Sequence, residues 1–181
     1  MQIADDKILE MIRSLEPNQA DFFDFDILTF TDEIRDMCKR NSCGRYGRAW
    51  NCPPGCGEIE DLEAECRKYS KAILFNTVGQ LEDSLDWEGM MAQGKVLSKY
   101  LVDIDDNLIE MGLSDYKIMG SASCSACDEC TYPDAPCRNP EKLFVPIEAC
   151  GINVMQTAID AGFKYINGQN TVTFFGMLLF N

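Results

Sequence analysis

A chain of 181 residues with 46% apolar composition is long enough to bury one sizeable core and too apolar to stay disordered. Its net charge of -14 repels a phosphate backbone, which argues against nucleic-acid binding. It has ten cysteines and no histidine, so a histidine base is excluded and any zinc site must use cysteine or carboxylate.

The opening residues, MQIADDKILEMI, are acidic and then helical, unlike a secretory leader, and no apolar run approaches membrane-spanning length. The expectation is a cytoplasmic protein without a membrane or nucleic-acid partner, in which cysteines serve metal rather than disulfides. Residues 5–15 predict a helix with Ile8, Met11, Ile12 and Leu15 on one face, Asp5 or Asp6 as cap, and Pro17 as stop. The apolar run Phe25 to Phe30 predicts a strand, and Thr31 opens a short helical segment with acids near its start.

A first cysteine-rich stretch follows, carrying Cys38, Cys43, Cys52 and Cys56. Gly44, Gly47, Pro53 and Pro54 make it a loop with enforced turns. Arg40, Arg45 and Arg48 concentrate positive charge there, able to offset thiolates or receive an anion, or to serve as ordinary surface residues. The C-x3-C pair Cys52/Cys56 lacks the further cysteine of a radical adenosylmethionine signature, because position 59 is Ile59. The stretch can supply four ligands, or three with an open coordination position, or lend one or two to another site.

Glu58 to Tyr69 predicts an amphipathic helix with Ile59, Leu62 and Cys66 inward, which makes Cys66 a core residue. Ala72 to Val78 predicts a buried strand. Asp86 to Met111 predicts the longest helix, with Leu97, Leu101, Ile104, Leu108 and Met111 inward, Asp103, Asp105, Asp106 and Glu110 mostly in water, and Gly112 as stop. Met90 and Met91 read as packing rather than ligands. Tyr116 to Met119 predicts a short strand.

That strand leads into the stretch Gly120 to Pro140, with Cys124, Cys127, Cys130 and Cys137. Three cysteines at every third position, then a fourth, resemble the run with which bacterial ferredoxins hold an iron–sulfur cluster, although there the fourth comes sooner. A four-cysteine zinc site is the alternative, but it usually has two separated C-x2-C knuckles, whereas these pairs overlap. Pro146 to Ala161 predicts a helix stopped by Gly162, with Cys150 in its buried face and free amides aimed back at the cysteine loop. The end predicts a hairpin, Phe163–Ile166 and Thr171–Phe180. The last strand is apolar on both faces and should be central.

Taken together, Cys38, Cys43, Tyr46-Gly47 and Cys52-Pro53-Pro54, then Cys124, Cys127, Cys130, Cys137-Arg138-Asn139-Pro140 and the segment Ile147 to Val154, resemble a family of predicted metal-binding, cysteine-rich bacterial and archaeal proteins known only as a domain of unknown function. The likeness runs from about Thr29 to the C-terminus. The family pattern has methionine at Ile147 and aspartate at Asn153, and Cys56 is not clearly part of it. The resemblance implies metal binding and leaves the reaction open.

The expected architecture is a single compact α+β domain, a mixed sheet with packed helices and two cysteine-rich metal-binding loops at one edge. The expected role is iron–sulfur binding with one or two 4Fe–4S clusters: one on Cys124, Cys127, Cys130 and Cys137, and a second on Cys38, Cys43 and Cys52, with Cys56 as candidate fourth ligand. Electron transfer to a redox partner protein follows, since no acid–base machinery is visible. The alternatives are an enzyme whose incompletely ligated cluster binds substrate near Arg45, Tyr46 or Arg48, and a zinc-binding structural module.

Overall fold

The last ten residues, TVTFFGMLLF, carry apolar side chains at both parities, and such a strand is stable only with neighbours on both edges and cover on both faces. The computed structural model, which describes residues 4–122 and 124–181, gives it that position. The strands β1 (Gln19–Phe23), β2 (Lys71–Gln80), β3 (Tyr116–Gly120) and β4 (Thr171–Phe180) lie in the order β1-β2-β4-β3. β2 and β4 pair along ten residues, from Lys71 opposite Phe180 to Gln80 opposite Thr171. The helices are α1 (Asp5–Ser14), α2 (Asp32–Lys39), α3 (Ile59–Cys66), α4 (Trp87–Glu110) and α5 (Val154–Asp160). The chain is thus one α+β domain. All strands pair antiparallel, so the mixed character expected of the sheet is confined to an isolated parallel bridge between Met119 and Val145.

Alternation along the strands divides the core in two. Ile73, Phe75, Ile118, Leu178 and Phe180 face α1 and α4, meeting Ile8 and Ile12 of the first and Leu97, Leu101, Ile104 and Leu108 of the second. Ala72, Leu74, Met119, Phe175, Met177 and Leu179 face the other way. They are covered by α3, α5 and the irregular chain around Ile147 to Ile152. Each fully buried leucine, isoleucine or phenylalanine contributes roughly 1.5–3 kcal/mol. The second layer is therefore as necessary as the helical one, and the first cysteine loop joins it through Cys56.

Several local expectations are corrected. Asp5 and Asp6 stand inside the first turn of α1, and the N-cap is Ala4, with no side-chain cap. Phe25 to Phe30 is not a strand: the Asp24 carboxylate accepts from the Asp26 N–H at 3.0 Å and starts a 3-10 turn at Phe25–Ile27, while the preceding QADFF pairs with β2. Asp105 of α4 does not face water. It is buried, accepting from the Tyr116 hydroxyl at 2.7 Å and pairing with Lys142.

The helix expected from Pro146 to Ala161 is broken in two. A 3-10 turn at Glu148–Cys150 ends at Gly151, which is left-handed with φ of 80°, and α5 restarts behind Asn153, whose side chain accepts from the Gln156 N–H at 3.1 Å. Tertiary partners claim the carbonyls that a continuous helix would use. Thr31 N–H donates to Gly151 at 2.9 Å, and the Arg35 guanidinium takes Ala149. With that break, no helix N-terminus at Pro146 points at the cysteine loop. The expected final hairpin also lacks its first strand, because Phe163 and Tyr165 lie on the ring of Phe175 instead of pairing. Cys66 and Cys150 are fully buried, as core residues should be, each with its sulfur near Met119 Sδ, at 3.9 and 3.6 Å.

Candidate metal centre

The first loop leaves α2 through a chain of tight turns. Asn41 N–H donates to Cys38 at 3.0 Å and Gly44 N–H to Asn41 at 3.0 Å, and Gly47 N–H reaches across to Pro53 at 2.8 Å. Cys56 N–H donates to Cys52 at 3.1 Å, so the two ends of the C-x3-C pair share one turn. Folding the loop back on itself brings its four thiols into one electrostatic group. Burial, then Cys43, Cys56 and Cys38, push the Cys52 thiol up to about 12, with Arg45 opposing. Burial and Glu148 raise Cys38, against the pull of Arg35.

The fourth member, Cys56, has a charged partner from outside the loop. Arg35 is buried, with its side chain running from α2 into the loop. Its guanidinium donates to the carbonyls of Ala149 and Gly57 and lies 3.4 Å from Cys56 Sγ. Burial raises the Cys56 thiol and Arg35 lowers it. Arg35 precedes Cys38 by three residues on α2, hence shares its face, and that spacing was the available signal.

The second loop is organised by its own side chains. Thr131 Oγ1 donates to Pro136 at 2.8 Å, Arg138 donates to Glu129 at 2.9 Å, and Asn139 Nδ2 lies 3.3 Å from Cys127 Sγ. Cys124 is raised by burial and by Cys137, Cys127 and Cys130, while the Ala126 N–H opposes. These four thiols line one cavity.

Trp50 joins the loops. Its indole N–H lies 3.3 Å from Thr131 Oγ1 and 3.1 Å from the Ala135 carbonyl, and its ring meets Tyr132 edge-on at 4.9 Å. Asn51, wholly buried, donates to Phe144 at 3.0 Å. A side chain at Gly55 would stand 2.9 Å from the Tyr132 ring, so the contact needs glycine there. Cys43 also lines a cavity with Cys124, Cys127, Cys130 and Cys137, which places the two groups side by side.

The donor chemistry fits a soft metal centre: four thiols to each group, no histidine, and N–H or guanidinium groups at individual sulfurs. Burial and mutual repulsion disfavour bare thiolates, and a bound cation removes both penalties. As they stand, no three Cys, Asp or Glu side chains among the described residues converge closely enough to hold a single metal ion. Arg40 and Arg48 are exposed and Tyr46 is half-buried; only Arg45 of the loop's arginines lines the shared cavity.

Residues 22–180 match the family described as predicted metal-binding protein (DUF2284), and the chain belongs to that family. No curated protein matches it. No solved structure matches it either.

Proposed function

We propose that this is an iron–sulfur protein that passes electrons to a partner redox enzyme. One 4Fe–4S cluster is assigned to Cys124, Cys127, Cys130 and Cys137, and a second to Cys38, Cys43, Cys52 and Cys56. The observation that carries the reading is the gathering of Cys124, Cys127, Cys130 and Cys137 with Cys43 around one cavity, with Cys38, Cys52 and Cys56 in the adjoining loop and Cys66 and Cys150 in the core. A cluster supplies reversible one-electron transfer when bound. The chain's own work is to keep the thiols grouped, to offset their charge with Arg35 and Arg45, and to shield the junction with Trp50. A net charge of -14 suits a partner with a basic docking face.

A second reading has the Cys124–Cys137 centre act on a substrate. What favours it is the cavity onto which those thiols open.

The test is iron, sulfide and zinc analysis with a visible spectrum on protein purified without oxygen. About eight irons and eight sulfides per chain are expected, and about four would leave one loop structural. Zinc without sulfide, even under anaerobic expression with iron supplied, would sink the redox reading and leave a zinc-stapled module.

A further inference from the structure

The inward face of α4 changes along its length. From Leu97 onward the residues at Leu97, Leu101, Ile104 and Leu108 pack on the sheet. The first three turns present a different row, Trp87, Met90, Met91, Gly94, Lys95 and Ser98, and this row lines a cavity of about 720 Å³. Val172 and Phe174 of β4 form its floor, and the second cysteine loop is its far wall. The volume lies within the range of small-molecule sites, roughly 300–1,000 Å³.

Two features of the wall point to an occupant. Trp87 is 57% exposed and Met91 38%, large apolar groups on an otherwise acidic protein. Arg45 of the first cysteine loop and Lys95 of α4 both line the cavity, and neither forms a salt bridge among the described residues, although acids outnumber bases 30 to 16 in the chain. Arg138 also lines it, held on the Glu129 carbonyl, with Asp128 the opposing acid. Two cations without a carboxylate partner among the described residues, Arg45 being also the cation that acts on the Cys52 thiol, stand beside an apolar wall and fit an occupant with an apolar body and an acidic head.

We propose that this chamber binds a small organic anion, its apolar body against Trp87, Met91 and Phe174 and its acidic group between Lys95 and Arg45, beside the Cys124–Cys137 centre. The placement next to a redox group rests on the iron–sulfur reading; the binding itself does not. It makes the protein a site where an organic anion meets a metal centre, rather than a carrier alone.

The test uses the full chain, purified without oxygen, with anilinonaphthalene sulfonate as probe and phenylnaphthylamine as the same apolar body without charge. Both tryptophans of the chain line the cavity, so energy transfer from tryptophan reports occupancy. One saturable sulfonate site is expected. Lys95→Glu should weaken the sulfonate about tenfold and leave the amine nearly unchanged, and Trp87→Ala should weaken both about tenfold. Iron content, measured on each variant, should stay at the wild-type level because α4 supplies no thiol. Non-saturating binding, or binding indifferent to both substitutions, overturns the proposal. So does dimerisation that Trp87→Ala abolishes and that excludes the probe, since a second copy would then cover the wall. Saturable, Lys95-dependent binding by protein without iron would uphold the chamber and remove the cluster beside it.

Discussion

Arg35 Nη1 stands 3.4 Å from Cys56 Sγ, deep enough that the arginine is only 8% exposed. The same guanidinium holds the carbonyls of Gly57 and Ala149, tying α2, the first cysteine loop and the turn before α5 to one point. No carboxylate pairs with it among the described residues, so the sulfur is its natural counter-charge.

Replacing Arg35 by methionine keeps much of the stem and removes these contacts. The buried Ala149 carbonyl and the part-buried Gly57 carbonyl lose their donor, at about 1–3 kcal/mol for a fully buried one. The expected outcome of urea unfolding is a loss of about 3 kcal/mol. Metal should fall at the first centre and persist at the second; equal loss at both would mean that Arg35 serves the fold alone.

The assignment of Cys56 as a ligand separates it from the two core cysteines. Cys56→Ala and Cys127→Ala should each reduce iron and sulfide, by about half if two like clusters are present. Cys66→Ala should leave both contents at the wild-type level, because its sulfur lies in the core against Met119. Iron loss in the Cys66 variant, or none in the Cys56 variant, would redraw the ligand set.

Trp50→Phe tests whether the loops depend on one another. The ring remains to meet Tyr132, while the N–H that reaches Thr131 and Ala135 is gone. A cost of about 1–2 kcal/mol is expected in thermal or urea unfolding. Proteolysis should quicken in the segment from Thr131 to Pro136, and unchanged cleavage there would show that the second loop stands without the first.

Two glycines should respond in opposite directions to alanine. At Gly151 a side chain would lie 2.4 Å from Ile59 Cδ1 and 2.9 Å from the Thr31 carbonyl, in left-handed backbone. The expected loss is about 3 kcal/mol. Gly94 sits inside α4, where among the described residues a new methyl meets Phe174 at 3.6 Å. Alanine there should add about 0.5–1 kcal/mol, read as a raised unfolding midpoint.

Tyr116 carries a pH-dependent share of stability. Burial first, then its hydrogen bond to Asp105, raise the phenol above its ordinary value. A group whose folded pKa is raised stabilises fully below its unfolded value, about 10, and that share is lost as pH rises through the folded one. The stability gap between wild type and Tyr116→Phe should therefore be constant from neutral to mildly alkaline pH and shrink above about pH 10. A gap that widened there would contradict the protonated Tyr116–Asp105 pairing.

The elements legible in the sequence were those whose signal is local. The α4 row of Leu97, Leu101, Ile104 and Leu108 is a helical repeat that the sheet then buries. The two-sided apolar run of β4 demanded a central position, and the spacing of Cys124, Cys127 and Cys130 required only that one loop fold on itself. Thr31 capped α2 as its residue type suggested, accepting from Ile34 N–H at 3.4 Å.

Tertiary structure decided what depended on partners distant in the chain. The apolar stretch from Pro146 to Ala161 is periodic enough for one helix, yet Gly151 and Ala149 turn their carbonyls to Thr31 and Arg35, more than a hundred residues earlier. Cys56 is ambiguous by spacing and acquires its place from Arg35 on another element. The chamber beside α4 lies where the first turns of the helix stand opposite the second cysteine loop, before the fully buried row that begins at Leu97. Residue type and period fix local geometry through sterics and hydrogen bonds. Which sulfur meets which cation, and where a gap remains, follows from how the layers close over the sheet.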